Sequence, residues 1–322
     1  MVQPDQLAGP KDDSGRGRAG SYIMIAGPTA SGKSQLALEL AAALDGEIIN
    51  ADSMQLYADL SVLTARPSAA DLTVAPHHLY GVLDAAHRAS VAAWLDLAAT
   101  AKSDIESRAK MPIIIGGTGM YLQAAINGIA PVPDVPAAIH QSCIAWHGKI
   151  GGAAFRQELA RLDPVIAARL ADGDSQRLIR AMGVARASGT PLSQWQTAPH
   201  EGALPGVAVT IAKLPSRDEL YQRINSRFDK MLAAGAVDEV RDLAKRHLDP
   251  GLPLMKALGV KPLMAVVSGE MTLDEAAYLT KRDSRHYAKR QMTWLRNNFH
   301  ANLTVKKQLS ESILQNIFSF IR

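Results

Sequence analysis

One cysteine, Cys143, stands among 322 residues. A single thiol makes no internal disulfide and builds no thiolate metal cage, and its usage fits a reducing, cytoplasmic setting. Its expected place is in buried packing. Aromatic residues make up only 5% of the chain, so Ala, Leu, Ile and Val must fill most of the core. No apolar run approaches the roughly 20 residues of a membrane span, which predicts a protein that does not enter a bilayer. The opening Met1-Val2-Gln3-Pro4-Asp5 places an acid where a secretory signal needs a basic start and an apolar stretch. Neither charge sign dominates: 35 Lys and Arg face 31 Asp and Glu, a net +4. That balance permits a polyanionic partner without demanding one, and the location of the cations matters more than their sum. What is present is 47% hydrophobic and 20% charged sequence, the texture of a globular chain with room for one large core or two domains.

The most informative stretch is Gly27-Pro28-Thr29-Ala30-Ser31-Gly32-Lys33-Ser34. The apolar run Tyr22–Ala26 precedes it and the helix-like Gln35–Ala41 follows it. Strand, glycine loop, helix is the context that a phosphate-binding P-loop requires. Glycines let backbone N–H groups turn inward, and the helix start adds unpaired donors and the positive end of its dipole. Lys33 supplies a point charge for the outer phosphate, and the Ser34 hydroxyl is placed to ligate Mg²⁺. The motif leaves open whether the phosphates belong to ATP, GTP or another diphosphate.

Residues 1–20 are polar and glycine-rich, which predicts a flexible tail. A second strand, 47–51, ends in Asp52-Ser53-Met54-Gln55. In an open parallel sheet ligands bind beyond the carboxyl ends of the strands, so Asp52 falls beside the phosphate loop. It can act in catalysis, or simply cap the following turn. His77 and His78 are adjacent, point apart on a strand or turn, and have no carboxylate cluster near them in sequence; structural roles are expected. Ser90 caps a helix running toward Lys110. The short strand 112–115 then ends in Gly116-Gly117-Thr118-Gly119, where most P-loop NTPases place an acid for Mg²⁺.

From Pro131 the texture changes to helix-like segments without strands: 137–150, 153–162, 164–170 behind an Asp163 cap, and 174–187. Trp146 and Trp195 are expected to pack them. Strand character returns at 207–212. The expected fold is therefore α/β: a P-loop-containing parallel sheet with flanking helices (21–130 and 206–310), plus an inserted all-helical subdomain (131–205) and a C-terminal tail (311–322). Capping boxes at Ser216–Glu219 and Thr272–Glu275 open two helices. In the last helix six cations (Lys281, Arg282, Arg285, Lys289, Arg290, Arg296) meet only Asp283. Lys281, Arg285 and Lys289 form a stripe at fourfold spacing, with aromatic residues interleaved, which suits an RNA backbone or a solvated face.

Eight segments in this order resemble the tRNA dimethylallyltransferase (tRNA isopentenyltransferase) family: GPTASGKS at 27–34, INADSMQLY at 49–57, TARP at 64–67, PHHL at 76–79, GGTGMYL at 116–122, DSQRLIRA at 174–181, RINSRFDKML at 223–232 and AKRQMTWLR at 288–296. The resemblance covers the chain from about residue 23 to 298. It implies dimethylallyl diphosphate, not ATP, in the loop 27–34, and transfer of its five-carbon group to N6 of the adenosine 3′ to the tRNA anticodon. By the same resemblance Asp52 is the general base, Arg227 and Mg²⁺ near Ser34 assist the leaving diphosphate, Thr118 contacts the reacting nucleotide, and Thr29 lies by the diphosphate and the base. The tRNA anticodon stem-loop would be met by Asp52, Ser53, Met54, Gln55 and Thr118, by Gln176, Arg177 and Arg180, by Lys256 and Lys261, and by Lys289, Arg290, Trp294 and Arg296. The adenine is expected to flip out of its stack into a channel, with the diphosphate entering from the opposite mouth. A cytoplasmic monomer without membrane contact is the implied setting. The chain departs from the family at Gly259-Val260-Lys261-Pro262, where a tyrosine usually follows the glycine, and at Arg66, where lysine is common. The competing reading is a P-loop small-molecule kinase using ATP, which would employ the same Lys33, Ser34 and Asp52.

Overall fold

Runs of Ile, Met, Val and Ala become the strands, because a strand with helices on both faces is apolar on both. The structure, a computed structural model, describes residues 20–306 and also Ile313, Gln315, Ile317 and Ser319. The tail expected at 1–20 lies outside the described residues apart from Gly20, as does most of the stretch 311–322. The first strand, β1 (Tyr22–Ala26), leads through the phosphate loop into α1 (Lys33–Leu44). Then come β2 (Gly46–Asn50), α2 (Ala69–Val74), β3 (His77–His78), α3 (Val91–Ser107), β4 (Met111–Gly116) and α4 (Gly119–Asn127). A helical stretch follows: α5 (Ala137–Leu162), α6 (Pro164–Arg169), α7 (Ser175–Ser188) and α8 (Leu192–Trp195). The order closes with β5 (Ala208–Lys213), α9 (Arg217–Ala233), α10 (Ala236–Ala244), α11 (Val260–Val267), α12 (Leu273–Asn298) and β6 (Leu303–Val305).

The strands form one six-stranded sheet in the order β3-β2-β4-β1-β5-β6, every pairing parallel. The α/β class read from the sequence is the class observed. Ala26 of the central β1 stands opposite Gly116 on one side and Ala212 on the other. The loops after β1, β2 and β4 therefore leave the same edge of the sheet. Ile23, Ile25, Ile113, Ile115 and Ile211 pack under Leu36 and Leu40 of α1, and Ile317 is buried in the same cluster. A second cluster joins Tyr57 and Leu60 to Val240 and Leu243 of α10 and Val260 and Leu263 of α11.

The chain divides into one unit comprising 1–126 and 204–322 and another comprising 127–203. The second is all helical. Cys143, Phe155, Leu159, Leu178 and Met182 form its core, so the lone cysteine is packing. Its long helix α5 is interrupted at Gly151 (φ 76°, ψ 164°), a conformation that favours glycine. Asp163 accepts Ile166 N at 3.0 Å and caps α6. Trp146 meets Phe155 edge-on at 5.1 Å. Trp195 lies outside that core and donates to Ser188 Oγ at 3.2 Å.

Both expected capping boxes form, as does the Ser90 cap. Of the two shortest strands, β6 was not expected, while for β3 the sequence left strand and turn both open. At two and three residues they are too short to show a pattern in sequence. β3 separates the two histidines as neighbours on a strand must be: His77 Nδ1 meets Ala75 O at 2.8 Å, and His78 Nε2 meets Glu47 Oε2 at 2.7 Å.

Candidate active site

The phosphate loop is shaped by two left-handed residues, Ala30 (φ 60°) and Gly32 (φ 86°), with Ser31 N closing onto Pro28 O at 3.2 Å. α1 then starts at Lys33, so its unpaired N–H groups sit at the end of β1. Ser34 is exposed and Lys33 half-buried, its Nζ folded back toward Pro28 O at 3.4 Å. Burial holds the Lys33 ammonium down at about 8; the Asp52 carboxylate opposes this and the Arg227 charge adds to it. Burial also lowers Arg227, again opposed by Asp52. Three separate segments thus bring one anion and two cations within each other's field.

Asp52 is held from below by Asn50. The Asn50 side chain accepts Asp52 N at 2.8 Å and donates to Asp52 O (3.0 Å) and Leu79 O (2.9 Å). Asp52 Oδ1 accepts Met54 N at 3.0 Å, so this carboxylate does cap its turn. Its Oδ2 accepts no hydrogen bond among the described residues, which leaves one oxygen for another proton. Thr118 Oγ1 accepts Ser53 N at 3.1 Å and joins the turn after β4 to the turn after β2.

Asp52, Ser53 and Met54 line a cleft of about 320 Å³ together with Thr29, Lys256 and Arg290. Tyr287 completes that wall, and burial, reinforced by the Asp52 charge, pushes its phenol up to about 12. A smaller cavity of about 70 Å³ lies alongside, walled by Arg227, Ile224, Phe228 and Met231. The two share Thr29, Leu63, Thr64 and Leu258. Thr29, from the glycine loop, is thus one of four residues common to the Asp52 cleft and the cavity beside Arg227.

The remaining candidates are dispersed. Gln55 donates its amide to Thr64 O and Ala65 O, both at 2.9 Å, and borders a small cavity beside Ser34 and Arg66 instead of the Asp52 cleft. Lys289, Arg290 and Trp294 share an open groove on α12 with His286. Arg296 and Lys261 are exposed. Gln176, Arg177 and Arg180 are exposed on α7 of the helical unit. The expected α12 stripe is only partly free. Lys281 pairs with Asp229 and Arg285 donates to Asn225 Oδ1 at 2.8 Å, so both are tied to α9, and Arg282 pairs with Asp283. Counting charges along one helix missed the acid on its neighbour.

Two residues were not singled out from the sequence. Gln291 is buried on α12, where Oε1 accepts Thr29 N and Nε2 donates to Gly117 O, both at 2.9 Å. One amide thus ties the phosphate loop to the glycine–threonine turn, and a side chain on Gly117 would collide with it. A glutamine between Ala288 and Leu295 on an apolar face was the available signal. Arg223, one turn before Arg227, donates to Ser31 O at 3.3 Å.

A six-stranded parallel sheet with flanking helices, a glycine turn between its first strand and first helix, and an aspartate and a threonine just beyond two other strand ends define the chain as an α/β protein. Relatives narrow the class. Residues 55–298 match the family model described as IPP transferase, and residues 20–80 one described as isopentenyl transferase. A tRNA dimethylallyltransferase of Parvibaculum lavamentivorans is 47% identical over 302 residues, 94% of this chain and 96% of that protein. A crystal structure of the tRNA isopentenylpyrophosphate transferase of Bacillus halodurans superposes with a TM-score of 0.65 at 32% identity, covering 94% of this chain and 95% of that one. A eukaryotic dimethylallyltransferase acting on tRNA superposes with a TM-score of 0.74 at 26% identity, over 85% of this chain and 69% of the other. The chain belongs to the IPP transferase family.

Proposed function

We propose that this protein transfers a dimethylallyl group from dimethylallyl diphosphate to N6 of the adenosine 3′ to the anticodon in tRNA. The observation that carries the reading is the Asp52 carboxylate, with one oxygen unbonded, in a cleft that shares Thr29, Leu63, Thr64 and Leu258 with the cavity walled by Arg227, Ile224, Phe228 and Met231. The reaction forms a bond between N6 and the terminal allylic carbon and breaks that carbon's bond to the diphosphate oxygen. The N6 proton passes to Asp52, and the electron pair leaves with the diphosphate. An aromatic exocyclic amine is a weak nucleophile, so removing its proton as the new bond forms is where a positioned carboxylate helps. Lys33, Arg227 and the loop N–H groups face the charge that develops on the leaving group. Leu63, Ile224, Phe228 and Met231 suit the hydrocarbon end.

Mg²⁺ is ordinarily held by one or two protein oxygens together with substrate phosphates. Ser34 Oγ fits that donor set: it is exposed on the first turn of α1 and makes no hydrogen bond among the described residues. No group of three metal-ligating side chains, as an all-protein cage needs, occurs among the described residues. When bound, the ion would neutralise the departing diphosphate. Lys256, Lys289, Arg290 and Trp294 on one unit, and Gln176, Arg177 and Arg180 on the helical unit, present cations and a ring to an RNA arm. No helix of the described residues is long and apolar enough to cross a membrane.

The relatives reported above are named for dimethylallyl or isopentenylpyrophosphate transfer, and none for phosphate transfer from ATP, which favours prenyl transfer over the ATP-dependent kinase. The test is incubation with Mg²⁺, radiolabelled dimethylallyl diphosphate and unmodified tRNA bearing adenosine at that position. Label in RNA is expected. ATP consumption with a small acceptor and unlabelled RNA would overturn the reading. Asp52→Asn keeps the oxygen that accepts Met54 N and removes the base, so single-turnover transfer should fall by about two to four powers of ten while tRNA still binds.

A further inference from the structure

α10 contributes no lining residue to either cleft, yet one of its side chains holds their common wall. The Glu239 carboxylate, half-buried, accepts three consecutive backbone N–H groups. Ser61 N and Val62 N donate to Oε1, the latter at 2.9 Å, and Leu63 N donates to Oε2 at 2.9 Å. Successive N–H groups turned to one point form a concave seat for an anion. Bonds to an ionised acceptor are about twice as strong as neutral ones. Within the turn, Thr64 Oγ1 donates to Leu60 O at 2.6 Å and Arg66 N to Ser61 O at 2.9 Å. Arg246, just beyond α10, pairs with Asp59 at the start of the same segment. The last residue of the seat and the one after it, Leu63 and Thr64, belong to both clefts.

We propose that Glu239 is a positioning residue for the transfer: by seating the N–H groups of 61–63 it fixes Leu63 and Thr64 where the hydrocarbon end of one substrate meets the base of the other. The substrates named rest on the prenyl-transfer reading; the seat itself does not. A glutamine would turn an N–H₂ toward Leu63 N–H, donor against donor, while keeping the acceptor for the other two groups. An alanine leaves three donors without a partner.

The experiment compares wild type, Glu239→Gln and Glu239→Ala by three readouts. These are amide hydrogen exchange at 61–63, Kd for dimethylallyl diphosphate and for inorganic pyrophosphate, and steady-state transfer to tRNA. Expected are faster exchange at 61–63 and a fall in kcat/KM of about 10- to 100-fold, the size a slight misplacement of a reacting group produces. The preference for dimethylallyl diphosphate over pyrophosphate should shrink with it, pyrophosphate affinity should hold, and Gln should be milder than Ala. Unchanged kinetics and an unchanged preference in both variants would overturn the proposal. So would an equal loss for pyrophosphate, the mark of a generally loosened fold. If Glu239→Ala does not fold, Glu239→Gln decides alone. If wild type itself transfers no label, the prenyl reading fails, while hydrogen exchange and the ratio of the two affinities still judge Glu239.

Discussion

A lysine whose ammonium is held at about 8 by burial makes anion binding sensitive to pH in a definite direction. Below pH 8 the free protein already carries the charge. Above it the free side chain is neutral, whereas a bound diphosphate restores the proton. Binding of dimethylallyl diphosphate should therefore take up a proton above about pH 8 and weaken by up to tenfold per pH unit, since one unit is worth about 1.4 kcal/mol. Titration calorimetry at pH 7.5 and 9, in buffers of different ionisation enthalpy, checks both sign and stoichiometry. Lys33→Ala should bind more weakly and lose the pH slope. At the same scale, Gln291→Leu removes the acceptor for Thr29 N and the donor to Gly117 O. Losing a buried hydrogen bond and stranding its partner costs about 1–3 kcal/mol. If that cost falls on the active geometry, kcat/KM drops by about 5- to 150-fold, a loss that steady-state kinetics would register while the unfolding transition stays cooperative. That Asp52 and Thr118 lie just beyond strand ends was legible because short apolar runs mark the strands before them. Gln291 and Glu239 were not, since each bonds a backbone segment more than 170 residues away.

α12 shows how one helix divides its duties. Ala288, Gln291, Met292 and Leu295 are buried, while Lys289, Arg290 and Arg296 are exposed and make no ion pair among the described residues. Helical periodicity placed Lys281, Arg285 and Lys289 on one stripe. It could not show that Lys281 and Arg285 look toward α9, because the partners Asp229 and Asn225 lie on another element. The two pairs of cations should therefore behave differently. Lys289→Ala with Arg290→Ala should weaken tRNA binding and reduce the slope of log K against log salt by about one to two. Lys281→Ala with Arg285→Ala should leave that slope in place and cost at most about 1 kcal/mol of stability, as partly exposed ion pairs do. Filter binding across a salt series, with denaturant unfolding of each variant, separates the two.

At the scale of the whole molecule the helical unit 127–203 enters and leaves the α/β unit at neighbouring points: Leu204 N donates to Ala125 O at 2.9 Å. Its core is its own. Replacing 127–203 by a short Gly-Ser linker should leave a folded α/β unit that binds pyrophosphate nearly as the intact protein does, since units with separate cores fold independently. tRNA affinity should fall by at least about tenfold with the loss of Gln176, Arg177 and Arg180, as a direct binding comparison would show. The helical texture of this stretch was visible in sequence because periodicity is a local property.

Sequence alone determined the glycine turn before α1, the parallel sheet and the aspartate at a strand end. Each depends on contiguous residues whose backbone course follows from glycine, apolar runs and caps. Only the tertiary structure decided which amide ties the loop to the glycine–threonine turn, which carboxylate seats the wall at 61–63, and which cations of α12 stay free. Those outcomes depend on which distant backbone and side-chain groups come within hydrogen-bonding distance, and chain proximity says nothing about that.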